Sequence, residues 1–568
     1  MRTRKHIPGK WAASDACFAC HNKHFTSGRK FFEVAPRFIV LLLLCLILNN
    51  CNPAPKQEEP TRTNVIILAV DTLRHDYVSC LGDKAQTPII DSLAREGILF
   101  TRAYSHIPIT GPSFSSLFTS LYPSQHFVHN NTHILQQKFE TLAEMLQKQG
   151  YTTAAVIGLN TLRGKFGFKQ GFDYFNDQDL STGRSAEEIN EVAFEWLKKN
   201  QDSLFFLFLH YQDPHFPYLP KNFRKTMRIV FNEETLMDLA PEDVKPKKIK
   251  VNFKPGLNTM SLIALDREEI PVQTKRPKYR SFDIFNVVCQ PDTISMEFDQ
   301  GWSQSFKTWQ SETRSMGAQA TIQFTNNNPG EVQGFFKFQA IIRNLSVAEI
   351  KERYRLETEY LDFHIGALIA RLKEYGLFDS SFLIFVSDHG EGLGDHRCIG
   401  HLDNLYESLI HIPLVMKFPQ GGEGIKVNTP VSIIDVVPTI VEVIGGTISQ
   451  QCRGKSLIPL IEGQEKETRL VFSETFKPEA AQNLKAMITG KQKFIYNPDT
   501  NKCEFFDLMT DSSELNNRYD QSKETFNWYK EKIKTFSIAT GDSKVLKTEI
   551  DDKLLEELYT LGYLHEKK

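Results

Sequence analysis

Charge of either sign is what this chain has no excess of. Its 67 Lys and Arg against 69 Asp and Glu leave a formal net charge of -2 over 568 residues. That balance lacks the electrostatic footprint of a nucleic-acid binder, so no nucleic-acid partner is expected. Cysteine is sparse too. Beyond Cys51 only Cys80, Cys289, Cys398, Cys452 and Cys503 remain, an odd set without close spacing, which implies neither a disulfide framework nor a zinc ribbon. Internal repeats are missing. The apolar run Phe38–Leu48 has 11 residues, short of the roughly 20 that span a bilayer as a helix but the length of a signal-peptide core.

Export is therefore the expectation, and residues 1–51 read as an N-terminal extension plus signal peptide. Leu48-Asn49-Asn50-Cys51 resembles a loose bacterial lipobox, which would make Cys51 a lipidated first residue at a membrane surface. Residues 52–62, rich in Pro and Glu, then form a polar tether; an uncleaved N-terminal anchor is the alternative. Cys17-Phe18-Ala19-Cys20-His21 spells the c-type haem attachment pattern, but it lies on the side of the apolar run that stays inside the cell. A true start near Val34 accounts for this extension better than a haem does.

The remaining length exceeds one simple core and predicts a large domain carrying additional units. Three continuous apolar runs are each followed at once by acid or histidine. They are Asn64–Val70 before Asp71, Leu204–Leu209 before His210, and Phe382–Val386 shortly before Asp388-His389. Runs of this kind read as strands buried on both faces, the habit of a parallel sheet covered by helices. Helices are expected over Phe139–Gln149 and Ile350–Tyr375, and a further strand over Thr152–Ile157. Alternating segments such as Ala320–Phe324 and Phe336–Ala340 mark 223–343 as a β-rich insertion. Its Trp302, Phe306 and Trp309 read as sandwich core or, less simply, as sugar-binding aromatics. The catalytic domain then comprises 63–222 and 344–465, and 466–568 forms a small C-terminal α+β subdomain with helices as far as Leu561.

In open α/β sheets ligands sit beyond the carboxyl ends of the strands, where Asp71, Asp388 and His389 fall. Buried carboxylates gathered there repel and are desolvated unless a cation compensates. A divalent metal is the economical partner, with Thr110 completing its coordination. Thr110 precedes Gly111-Pro112-Ser113 at a helix start, so it reads either as a cap or as a nucleophile activated by the metal. The free N–H groups of that helix end would face a bound anion.

Several stretches taken together resemble the sulfatase branch of the alkaline phosphatase superfamily. They are Asn64–Leu73 (NVIILAVDTL), Thr87–Tyr104, Thr110–Pro123, Gly150–Asp173, His210–Tyr218 (HYQDPHFPY), Phe385–His396 (FVSDHGEGLGDH) with Gly400-His401, Val436–Gly445 and Glu557–Leu564. The resemblance implies an alkaline-phosphatase-like α/β fold. It implies Asp71, Asp388 and His389 as metal ligands, Thr110 as nucleophile and fourth ligand, and His215 and His401 as contacts to the ester anion or leaving group. Several departures narrow it. Members that use formylglycine carry Cys or Ser at the Thr110 position and Arg where Phe114 stands, so no formylglycine is expected. Thr72 replaces a second metal-binding Asp, and Ile157-Gly158-Leu159 lacks the Lys and His that hold sulfate in many relatives. The implied activity is metal-dependent hydrolysis of sulfate or phosphate esters of glycans, lipids or small molecules. The competing readings are a phosphoethanolamine or phosphoglycerol transferase or phosphodiesterase, and a degenerate glycan-binding protein. Oxygen-rich ligands suit Ca²⁺, Mg²⁺ or Mn²⁺, while the imidazole draws the choice toward Mn²⁺ or Zn²⁺.

Overall fold

The computed structural model describes residues 63–538, apart from 179, 181–182, 217, 219–226, 240–246, 265–280, 301, 309–310, 317–318, 344–346, 423, 478–479 and 520–523, together with 545–547. The signal segment, lipobox, haem-like motif and tether lie outside the described residues, as does the segment near Leu561. Among the described residues no helix is long and apolar enough to cross a membrane.

The chain opens with β1 (Asn64–Val70), α1 (Pro88–Glu96), β2 (Ile98–Tyr104), α2 (Thr110–Thr119), α3 (Leu142–Lys148), β3 (Thr152–Val156), β4 (Tyr174–Asn176), α4 (Ala186–Asn200) and β5 (Phe205–Tyr211). After the insertion it resumes with α5 (Val347–Glu374), β16 (Ser381–Ser387), the hairpin β17 (Gly392–Leu393) and β18 (Ile399–Gly400), β19 (His411–Lys417), β20 (Ile425–Val427), β21 (Val431–Ser432) and α6 (Val436–Val443). These strands assemble in the order β20-β2-β19-β16-β1-β5-β3-β4, with β21 also on β2. Pairing is parallel except at β19, which runs against both neighbours. The result is the expected alkaline-phosphatase-like, mostly parallel sheet.

The β1 run explains why the sheet is covered twice. With a side-chain period of two, Val65, Ile67 and Ala69 face a core with Phe114 and Leu117 of α2, Leu146 of α3 and Ile440 of α6. Ile66, Leu68 and Val70 face Leu93 of α1, Ile189 of α4 and Leu361 and Ile365 of α5. Two helix boundaries differ from expectation. α3 starts at Leu142 rather than Phe139, because the Thr141 hydroxyl accepts from the Glu144 N–H and the Glu144 carboxylate accepts from the Thr141 N–H, a capping box. α5 starts at Val347, three residues before Ile350, and ends at Glu374, just short of Gly376 at φ +68°.

The insertion is a sandwich of two five-stranded sheets. Its strands are β6 (Met227–Phe231), β7 (Glu234–Leu239), β8 (Lys247–Phe253), β9 (Gly256–Ala264), β10 (Ser281–Gln290), β11 (Ile294–Phe298), β12 (Trp302–Thr308), β13 (Ser311–Met316), β14 (Gln319–Asn326) and β15 (Val332–Arg343), in the orders β12-β13-β10-β15-β8 and β11-β14-β9-β6-β7. Ile229, Phe253, Met260, Phe324 and Phe336 meet between the sheets. The side chains of Trp302, Phe306 and Trp309 lie outside the described residues. The C-terminal unit is an antiparallel sheet β22 (Leu470–Glu474), β23 (Lys485–Thr489), β24 (Gln492–Asn497) and β25 (Lys502–Asp507), backed by α7 (Asn527–Ile538) through Phe494, Tyr529 and Ile533. A buried ammonium ties it to the main domain: Lys493 Nζ on β24 lies 3.0 Å from Glu407 Oε1 and 2.8 Å from Glu514 Oε1.

Candidate active site

Parallel register brings the first acids together. β1 and β16 are neighbours with Val70 opposite Ser387, so Asp71 and Asp388 leave adjacent strands at the same end. The turn after Asp71 is held in several places. Thr72 adopts φ 57°, its N–H donates to Asp388 Oδ1 at 3.0 Å, and its carbonyl accepts from Tyr354 OH at 2.6 Å. The His389 N–H donates to the same Asp388 Oδ1 at 2.7 Å. Asp71, Thr110, Asp388 and His389 are all fully buried.

Thr110 is not a cap. The N-cap of α2 is Ile109, which makes no side-chain bond, and Thr110 is the first helical residue. Its Oγ1 instead lies 3.5 Å from Asp71 Oδ1 and 3.4 Å from His389 Nε2. Three residues on, the Ser113 hydroxyl donates to the Asp388 carbonyl at 2.7 Å and pins the helix start to the end of β16.

The expected row of free N–H groups at this helix end is largely taken. The Gly111 N–H donates to Asn131 Oδ1 at 2.7 Å, Pro112 has none, and the Ser113 N–H donates to the Ile109 carbonyl at 3.0 Å. What replaces them is Asn131 itself. Because its oxygen faces Gly111, its Nδ2 is the opposite end of the amide. That nitrogen is buried with no hydrogen-bond partner among the described residues, a donor available to an anion.

The donor set fits a metal. Single ligand atoms of Asp71, Asp388 and His389 all lie within 4.8 Å of one another. The Nδ1 of His389 faces the Gly390 carbonyl at 2.9 Å, so Nδ1 carries the proton and Nε2 turns its lone pair toward Thr110. Burial pushes the imidazole down to about 3, aided by His401 and opposed by Asp71, keeping it neutral as a ligand must be. Asp388 Oδ2 is buried without a hydrogen-bond partner among the described residues, a costly state that a cation would relieve. Burial and the Asp71 charge hold the Asp388 carboxyl well above its usual range. Burial opposes ionisation of Asp71 too, yet His210, His215 and His389 together hold it below the ordinary carboxylate range.

The remaining expected residues gather around this group. The His401 ring lies 4.6 Å from that of His389 and 5.4 Å from that of His215, centroid to centroid. His215 Nδ1 donates to the Phe216 carbonyl at 2.6 Å, and burial lowers its pKa. His401 Nδ1 lies 3.2 Å from Glu391 Oε1. Glu391 went unread in the sequence although it sits inside the quoted FVSDHGEGLGDH. Its carboxyl is fully buried and pushed up to about 7 by that burial, against the pull of His215 and His389.

His210 is the other omission. Its Nδ1 accepts from the Gly158 N–H at 3.3 Å, which turns its Nε2 toward Asp71 Oδ2 at 3.6 Å. A side chain at 158 would put its Cβ 2.6 Å from the His210 carbonyl, so glycine there permits the approach. Phe114 stands edge-on to His210 at 5.0 Å and to Phe208 at 5.8 Å, filling with apolar packing the place of the Arg expected in formylglycine relatives. The signal for His210 was its position at a strand end. Asn131 carried no such signal, since it lies in a loop and meets Gly111 only through the tertiary fold.

Comparison with known proteins identifies the family. The sulfatase family model matches residues 63–446, and a model described as N-sulphoglucosamine sulphohydrolase, C-terminal, matches 394–536. An N-acetylglucosamine-6-O-sulfatase of Bacteroides thetaiotaomicron is 23% identical over 524 residues, covering 86% of this chain and 88% of the relative. The multifunctional alkaline phosphatase superfamily protein PehA of Trinickia caryophylli is 28% identical over 445 residues, 72% of this chain and 79% of that one. Among solved structures, a phosphonate monoester hydrolase of Agrobacterium radiobacter superposes with a TM-score of 0.57 at 18% identity, covering 86% of this chain and all 100% of its own. With a family model matched across most of its length and a shared fold, this chain belongs to the sulfatase family of the alkaline phosphatase superfamily.

Proposed function

We propose that this chain hydrolyses sulfate or phosphate esters, with Thr110 as nucleophile and one divalent ion held by Asp71, Thr110, Asp388 and His389. The observation that carries the reading is the Thr110 hydroxyl, which makes no cap bond and sits within 3.5 Å of both Asp71 Oδ1 and His389 Nε2. When bound, the ion would lower the pKa of the hydroxyl and draw charge from an ester oxygen. Thr110 passes its proton to solvent, Oγ1 bonds to the sulfur or phosphorus, and the bond to the ester oxygen breaks. The departing oxygen takes a proton from His401, which Glu391 orients through Nδ1, while His215 contacts the ester anion. Water then cleaves the Thr110 ester and restores the hydroxyl. Asn131 Nδ2 stabilises the anion throughout.

The B. thetaiotaomicron relative supports a sulfated glycan as substrate, and PehA and the phosphonate monoester hydrolase support a phosphoryl arm of the activity. An exported lipoprotein anchored through Cys51 is part of the same proposal, since that location suits an extracellular polymer. The test is Thr110→Ala against a panel of aryl sulfate, phosphate monoester and phosphodiester substrates, with elemental analysis of the purified protein. Loss of turnover on every ester with the fold retained is the expected result. Undiminished turnover would reject Thr110 as the nucleophile.

A further inference from the structure

The inserted sandwich has a face that ester chemistry does not use. β8 is the edge strand of its sheet and pairs with β15. Alternation sends Ile249, Val251, Phe336 and Phe338 inward, where they are buried, and presents Lys248, Lys250, Asn252, Gln333, Phe335 and Lys337 on the outer face. Register then sets Lys248 directly opposite Lys337, Lys250 opposite Phe335 and Asn252 opposite Gln333. Lys248 Nζ stands 3.6 Å from the centroid of the Phe335 ring. Among the described residues none of the three ammonium groups is in an ion pair with a carboxylate, and the outward positions of β8 named here include no acid.

Two ammonium groups directly opposite on neighbouring strands repel, so the face is under a tension that an anion relieves. A lone phosphate would need only the lysines. The half-buried Phe335 ring in their midst, with Asn252 and Gln333 alongside, adds an apolar platform and amide groups, the surfaces that meet the C–H face and the hydroxyls of a sugar. The sandwich is also rooted at the site. It follows the loop carrying His215, and it returns through α5, whose first residue Val347 lies so near Gly394 that an added Cβ there would come within 2.7 Å of it. A polymer held on the sandwich is tethered to the same molecule that carries Thr110.

We infer that the outer face of β8 and β15 binds a sulfated polysaccharide. The choice of sulfate over other anions rests on the proposed ester chemistry of the site. The test uses the full chain carrying Thr110→Ala, so that bound polymer is not consumed, on surfaces coated with dextran sulfate or neutral dextran. Binding should be confined to the sulfated surface. Lys248→Ser with Lys250→Ser and Lys337→Ser should weaken it about tenfold and flatten its salt dependence. Phe335→Ala should weaken it about threefold with the salt dependence intact, and this single change at a half-buried position guards against misfolding of the triple variant. In the Thr110 background both sets should leave turnover of a small aryl ester unchanged. Unaltered binding by the triple variant overturns the inference. So does equal binding to phosphatidylglycerol vesicles that ignores Phe335→Ala, which would mark a membrane-surface patch. Binding as described by a protein inactive on every ester would reject the proposed activity and leave this surface standing.

Discussion

Asp388→Asn separates the cost of the site from its use. In the metal-free protein two carboxylates share a dry cluster, and two unit charges at the 4.8 Å limit of that cluster repel by about 3.5 kcal/mol at an effective dielectric of about 20. Asparagine removes one charge while its oxygen still accepts the Thr72 and His389 N–H bonds that Asp388 Oδ1 now holds. With about 2.1 cal/mol/K of unfolding entropy per residue over roughly 500 residues, 1 kcal/mol moves the melting point by about 1 °C. The variant should therefore melt about 3 °C higher than the parent when both are stripped with chelator. The pH dependence has a definite sign. Because the folded pKa of Asp388 lies well above its ordinary 3.8, the parent keeps full stability below about 3.8 and loses it as pH rises through the folded value. The gap between the two proteins thus widens from pH 5 to pH 8. Metal inverts the order: at a hundredfold excess over Kd the parent gains about 2.7 kcal/mol and the variant, lacking a ligand, far less. Thermal melts at three pH values with chelator and with Mn²⁺ read all of this. A chelated Asp388→Asn protein melting below the parent at pH 8 would refute the reasoning.

Asn131→Ala leaves the buried Gly111 N–H unpaired, costing about 1–3 kcal/mol in a urea melt, and should lower kcat on the order of 100-fold through loss of an anion donor; unchanged kcat would dismiss that role. Lys493→Met strands Glu407 and Glu514 in the interior and should cost about 3–5 kcal/mol, visible as early proteolytic release of the C-terminal unit. Phe114→Arg, which restores the residue of the formylglycine pattern, buries a cation against Phe208 and His210 and should yield insoluble protein, whereas Phe114→Leu should stay soluble with a modest loss of stability. A soluble, fully stable Phe114→Arg protein would contradict the packing account.

The sheet was legible because its strands are buried on both faces and so read as unbroken apolar runs. Asp71 and Asp388-His389 followed from their place at the ends of such runs. Thr110 read from its helix start as either a cap or a nucleophile; family resemblance favoured the nucleophile, and the helix boundary at Ile109 removes the cap reading. Asn131 and Glu391 were illegible for a physical reason: their partners, Gly111 and His401, are chosen by loop conformation, which leaves no periodicity. The free N–H row expected at α2 fails partly on the same point, because the side chain that takes the Gly111 N–H comes from a loop 20 residues on. The Thr141–Glu144 box, by contrast, was written in the sequence and set a helix start that periodicity alone placed too early.

The central claim is that the Thr110 oxygen becomes covalently bonded to the transferred group. Rapid acid quench of metal-loaded enzyme during turnover, followed by mass spectrometry of its peptides, tests it most directly. The account predicts a sulfo or phospho adduct on Thr110 that appears before product release and is lost on chelation. A label on another residue, or steady turnover with Thr110 unmodified at every quench time, would contradict it.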